Sequence, residues 1–149
     1  MKKIFLIIFL SFGLAGCGSN DVEAFFLEEE YYNNPTITEI GIEEFNKLVD
    51  SDESFAVFIY QNLCPTSLNF ENVLNEFLDE YQISFYKLSF SDMEDTSLAR
   101  YIDYYPSFAI YHEGEFVDAL DANSDDDTDY YKSIDGFLEW FTKYVKLDN

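Results

Sequence analysis

Phe55-Ala-Val-Phe-Ile-Tyr-Gln-Asn-Leu-Cys-Pro-Thr-Ser67 is the stretch on which the reading of this chain turns. Its first six residues, Phe55 to Tyr60, are aromatic or aliphatic without alternation, the pattern of a strand buried on both faces of a sheet. A polar break at Gln61-Asn62 ends that strand. Cys64-Pro65 then opens a helical repeat in which Phe70, Val73, Leu74, Phe77, Leu78 and Tyr81 recur on one side. Pro65 suits the first helical turn, where a missing N–H is tolerated. Cys64 is thus placed at a helix N-terminus, where free N–H groups and the helix dipole favour a thiolate over a thiol. At the fourth position of the motif stands Ser67, so the junction carries one thiol and no second.

Outward from this stretch the elements follow a regular order. Thr36 to Ile40 reads as a short strand, and Ile42, Phe45, Leu48 and Val49 give one apolar face to a helix ending near Asp50. Ile83 to Phe90 is a further strand, and Met93 to Ile102 a weaker helix with Leu98, Ala99 and Ile102 facing inward. Ser107 to Tyr111 and Glu115 to Leu120 form a β-hairpin about a turn at Glu113-Gly114. Ile134, Phe137, Leu138, Phe141 and Val145 define a last helix, with Trp140 and Tyr144 beside its apolar face. The order βαβαβαββα predicts an α/β fold, a central mixed sheet with helices on both faces, over residues 36–149. The sequence contains no internal repeat.

This order, with Cys64 after the second strand and Pro106 before the hairpin, resembles the thioredoxin superfamily. The resemblance spans about Thr36 to Val145 and is strongest at Pro106-Ser-Phe-Ala-Ile-Tyr-His-Glu-Gly114. In thioredoxins a cis-proline opens an apolar strand and a glycine turns the hairpin at this spacing. The resemblance therefore implies a cis bond at Pro106 and a role for that residue in presenting backbone groups to an extended substrate. Cys64-Pro65 is similar to the Cys-Pro-x-Cys of glutaredoxins, but Ser67 makes this an atypical Cys-x-x-Ser member. Leu63 stands where a tryptophan commonly precedes the nucleophile. Phe58 stands where thioredoxins carry a buried acid, six residues ahead of the nucleophile. The resolving thiol and the acid that would serve it are missing together.

Such a site limits the chemistry. Cys64 can attack a disulfide of another protein, but Ser67 cannot expel the product, because an alkoxide is inaccessible near neutral pH. Release must come from the substrate's own second thiol or from an external one. The candidate catalytic set is Cys64, Ser67 and Pro106, and the candidate activity is monothiol exchange or isomerisation on exported proteins. Thr66 or Ser67 can supply a hydroxyl donor to the thiolate. The alternative is a non-catalytic binding or accessory module, similar to bacteriocin-transport accessory proteins.

The N-terminus sets the compartment. Met1-Lys2-Lys3 and the apolar run Ile4 to Leu14 read as an export signal too short to span a bilayer. Leu14-Ala15-Gly16-Cys17 resembles a bacterial lipobox, which implies a signal peptide over residues 1–16, cleavage before Cys17, and lipid, including palmitate, on that cysteine. The expected location is a bacterial membrane or envelope, lipid-anchored and facing outside the cytoplasm. Of the two cysteines only Cys64 would then remain as a thiol. Residues 17–35 read as a tether, with Phe25-Phe26-Leu27 either short ordered structure within it or packed on the domain edge. As a flexible coil, its 18 residues from Gly18 to Pro35 would reach roughly 25 Å root-mean-square.

The net charge of −22 becomes −24 when cleavage removes Lys2 and Lys3, and it excludes nucleic acid as a partner. The partners expected are thiols or disulfides of exported proteins and the membrane, reached through Cys17. A monomer without cofactor or bound metal is expected. His112 reads as an exposed residue at the hairpin end with no companion metal ligand. The acidic run Asp121 to Asp129 lacks the glycine and glutamate of a calcium loop and reads as a solvated insertion.

Overall fold

Phe55–Tyr60 forms β2, the middle strand of a five-stranded sheet, and all six of its residues are buried. A computed structural model describes residues 23–148. Around β2 lie β1 (Ile37–Glu39), β3 (Phe85–Ser89), β4 (Ser107–His112) and β5 (Glu115–Leu120), in the order β1-β3-β2-β4-β5. β1, β3 and β2 run parallel, while β4 pairs antiparallel with both β2 and β5. The mixed α/β sheet expected from the sequence is therefore present.

Alternation along the strands sends aromatic rings to two layers. On one side Phe45 of α1 (Ile42–Asp50) packs edge-on against Phe55 and Tyr111, whose own rings stack 4.8 Å apart. On the other side Phe58, Phe85 and Phe108 meet α2 (Pro65–Tyr81) and α4 (Ile134–Phe141). There Phe77 lies 4.8 Å from Phe137 and 5.4 Å from Phe141, joining the two helices. Each such phenylalanine contributes roughly 1.5–3 kcal/mol by burial, and edge-to-face pairs about 0.5–1.5 kcal/mol more. This layer fixes the helix that carries the thiol against the sheet.

Two of the expected helices change. The weak helix anticipated from Met93 to Ile102 is split into α3 (Phe90–Met93) and a 3-10 turn at Ser97–Arg100. The cause is local capping: Ser89 Oγ accepts from the Asp92 N–H, and Thr96 Oγ1 accepts from the Leu98 N–H while donating to the Met93 carbonyl. The last helix stops at Phe141, so Val145 lies beyond it and forms a bridge with Phe25 instead.

That bridge settles the alternative left open for the aromatic stretch ahead of Thr36. Phe25, Leu27, Tyr31 and Tyr32 are buried against the domain. The Tyr32 hydroxyl accepts from the Leu27 N–H and donates to the Lys146 carbonyl. Phe25 stacks 3.9 Å from His112, whose Nδ1 lies 3.0 Å from Ser54 Oγ. His112 is consequently half-covered rather than exposed. At the hairpin turn Gly114 is required: its φ is +75°, and a Cβ would lie 2.5 Å from the Val49 carbonyl oxygen.

Candidate functional site

Cys64 caps α2 in extended conformation, with φ −86° and ψ 118°, and Pro65 occupies the first helical turn. Extended geometry is what an N-cap residue adopts, and it leaves the helix N–H groups ahead of the sulfur unpaired within the helix. The Cys64 carbonyl accepts from the Leu68 N–H at 3.0 Å, starting the helical ladder. Leu63, just before it, is in the left-handed region with φ 60°. Ahead of that residue the chain leaves β2 through Gln61 and Asn62, so the sheet sets where the thiol emerges.

The sulfur is partly exposed and has one close partner, Thr66 Oγ1 at 2.9 Å. The Thr66 hydroxyl, followed by the Ser67 N–H, holds the Cys64 thiol below its ordinary pKa; slight burial opposes them. No lysine, arginine or histidine is involved. Ionisation here is favoured by hydrogen-bond donors rather than by a cation.

Ser67 has a different role from the one a second cysteine would fill. Its side chain is buried, and its Oγ accepts from the Gln61 N–H at 3.2 Å, tying the loop after β2 to the first turn of α2. Its hydroxyl adds only a lesser stabilisation to the thiolate. Beneath the site Phe58 is fully buried and packs 5.7 Å from Phe70 of α2. The position is thus apolar and offers no proton acceptor. Lys87, paired in register with Phe58, is turned to Glu71 of α2 at 2.9 Å.

The Tyr105–Pro106 bond is cis, as the resemblance implied. Pro106 shares a cleft of about 420 Å³ with Thr66, Asn69 and Phe70 of α2, so the structure brings the helix that bears the thiol and the proline turn to one depression. The far wall of that cleft is Ala122, Asn123, Thr128 and Tyr131. The acidic insertion is therefore a wall of this cleft, which the sequence did not reveal; Cys64 and Ser67 are not among the residues that line it. Its Asp121 N–H donates to Asp127 Oδ2 and its Asn123 N–H to Asp121 Oδ1, both at 2.8 Å. Leu63, Leu68, Tyr104 and Tyr105 are exposed, and of these Tyr105 lines the cleft. Cys17, the candidate lipidation residue, lies outside the described residues.

A family model described as Thioredoxin matches residues 36–133, about two thirds of the chain. This chain belongs to the thioredoxin family. Solved structures agree on the fold. The oxidised thioredoxin of Plasmodium falciparum is similar with a TM-score of 0.54, 16% identity, and coverage of 72% of this chain and 99% of that one. Thioredoxin O1 of Arabidopsis thaliana, also oxidised, gives 0.51 at 13% identity, covering 71% and 97%. A complex of ferredoxin:thioredoxin reductase with thioredoxin f2 gives 0.52 at 21% identity, covering 64% and 91%. The chain is accordingly a thioredoxin-fold, oxidoreductase-like protein whose motif is Cys64-Pro-Thr-Ser67.

Proposed function

We propose that this protein carries out monothiol exchange or isomerisation on disulfides of exported proteins, held to a bacterial envelope by lipid on Cys17 and facing outside the cytoplasm. The Thr66 hydroxyl, 2.9 Å from Cys64 Sγ at the start of α2 and placed to donate to a thiolate, is the observation that carries the reading. The Cys64 thiolate attacks one sulfur of a substrate disulfide. A bond forms from Cys64 Sγ to that sulfur, and the other substrate sulfur leaves with the electron pair and takes a proton from water. A second substrate thiolate then attacks the mixed disulfide and returns Cys64 to its thiolate. Net oxidation state is unchanged when both thiols belong to one substrate, so no external oxidant or reductant is needed.

The exposed apolar side chains Leu63, Leu68, Tyr104 and Tyr105 favour a second reading, a module that binds a polypeptide without chemistry. Trapping mixed disulfides in the native cell envelope separates the two. Exchange chemistry yields adducts with wild type that vanish in Cys64→Ala. Absence of any thiol-dependent adduct, together with an unchanged Cys64→Ala phenotype, would leave the binding module standing and remove the exchange.

A further inference from the structure

Tyr131 ends the 3-10 turn Thr128–Tyr131 and reaches across the cleft in two directions. Its ring lies 4.6 Å from that of Phe70, on the inward face of α2. Its hydroxyl donates to the Pro106 carbonyl at 2.9 Å. One side chain thus ties the helix that bears the thiol, the proline turn and the insertion into a single unit. Neither contact is needed to complete a core: Phe70 already packs on Phe58 and Phe137, and Pro106 opens a strand that is paired from Ser107 onward.

The segment that delivers Tyr131 is itself seated firmly. Gly136 in α4 allows the Asp129 carbonyl to approach so closely that a Cβ would lie 2.3 Å from its oxygen. Ser133 caps the same helix, its Oγ accepting from the Gly136 N–H. Burial, with the charges of Asp127 and Asp121, pushes the Tyr131 phenol well above its ordinary pKa, opposed only by Ser107. The hydroxyl therefore stays a donor throughout the working range of a thiolate.

We infer that Tyr131 is a positioning residue for exchange at Cys64, holding the Pro106 turn at a fixed separation from α2 so that an extended polypeptide lies in the cleft with its disulfide at the sulfur. The inference rests on the exchange reading above. A polypeptide in that cleft touches Thr66 on one side and Pro106 and Asn123 on the other, so loosening one wall misplaces the reacting sulfur. A small disulfide needs no such wall. Tyr131 then acts on polypeptide substrates and leaves intrinsic thiol reactivity alone.

The test compares two probes with the same leaving group on the purified chain carrying Cys17→Ser, so that Cys64 is the one thiol read. One is a decapeptide whose single cysteine is activated as a 2-pyridyl disulfide; the other is 2,2′-dipyridyl disulfide. In each case Cys64 Sγ bonds to the attacked sulfur, and pyridine-2-thiolate leaves with the electron pair, read by its absorbance as the thione. Tyr131→Phe keeps the ring on Phe70 and removes only the donor. The ratio of peptide rate to small-probe rate should fall about fivefold, the scale of one lost neutral hydrogen bond, through a higher half-saturating peptide concentration. The small-probe rate and its pH profile should hold within about twofold. An unchanged ratio overturns the inference. Equal loss with both probes also overturns it, because that is what a merely structural tyrosine produces. If wild-type Cys64 reacts with neither probe faster than free cysteine does, the exchange reading itself fails, and that outcome is distinct from the other two.

Discussion

The two ends of β2 are built on opposite terms. At its start the Ser54 N–H donates to Glu28 Oε1, and its carbonyl accepts from the Glu28 N–H. The same residue's Oγ accepts from the Glu113 N–H and contacts His112 Nδ1. Every polar group of Ser54 has a partner there. Past the other end, Leu63 is 93% exposed with φ 60°, a conformation that is costly for a branched side chain. One strand therefore joins a region where polar contacts are completed to one where apolar surface is exposed next to a thiol. If the two ends act independently, a substitution at the Ser54 end should change stability and leave the thiol's reactivity alone.

Substitutions at each end probe that separation. Phe25→Ala removes a buried ring stacked on His112. Unfolding in denaturant should show a loss of about 3 kcal/mol. Alkylation of Cys64 by iodoacetamide should be unchanged in the same variant; a parallel drop in thiol reactivity would mean that the two ends are coupled. Thr66→Val acts at the other end. Without its hydroxyl the midpoint of the alkylation pH profile should move up toward the ordinary thiol value, and the rate at pH 7 should fall about threefold to tenfold. The sign follows from linkage. A thiol pKa lowered in the folded state adds stability above the unfolded thiol's pKa, and that stability is lost as pH falls through the folded-state value. Thr66→Val should flatten this dependence, as measured by thermal unfolding across pH.

The smallest effect belongs to Leu63→Gly. Glycine adopts positive φ without strain, so the variant should gain about 0.5–1 kcal/mol in unfolding free energy. It should also react more slowly with the activated peptide, since the exposed side chain is gone. A gain in stability with no kinetic cost would show that Leu63 contacts no substrate.

Much of the scaffold was legible because its signals are local. The unbroken apolar run Phe55 to Tyr60, the helical spacing from Phe70 to Tyr81 and the turn at Gly114 each state their structure within a few residues. The caps at Ser89 and Thr96 are equally local, but Leu98, Ala99 and Ile102 supply an inward face that suits a longer helix. The site was half legible. Cys64, Pro106 and the apolar Phe58 could be placed from spacing and resemblance. Tyr131 could not, because nothing in Asp127-Thr-Asp-Tyr-Tyr131 marks which tyrosine crosses to a carbonyl 25 residues earlier. For Phe25 the sequence left packing on the domain edge as one of two alternatives, because its partners, His112 and Val145, are remote in sequence.

The bridge between Phe25 and Val145 also has a mechanical meaning. The Phe25 N–H donates to the Tyr144 carbonyl at 2.8 Å, and the Phe25 carbonyl accepts from the Lys146 N–H at 2.7 Å. Further along, Tyr32 bridges Ile83 at the approach to β3. A pull applied at residue 23 thus meets the C-terminal tail first, then Ser54 at the start of β2 through Glu28, and then the approach to β3 through Tyr32. All three attachments lie away from Cys64, which caps α2 past the far end of β2.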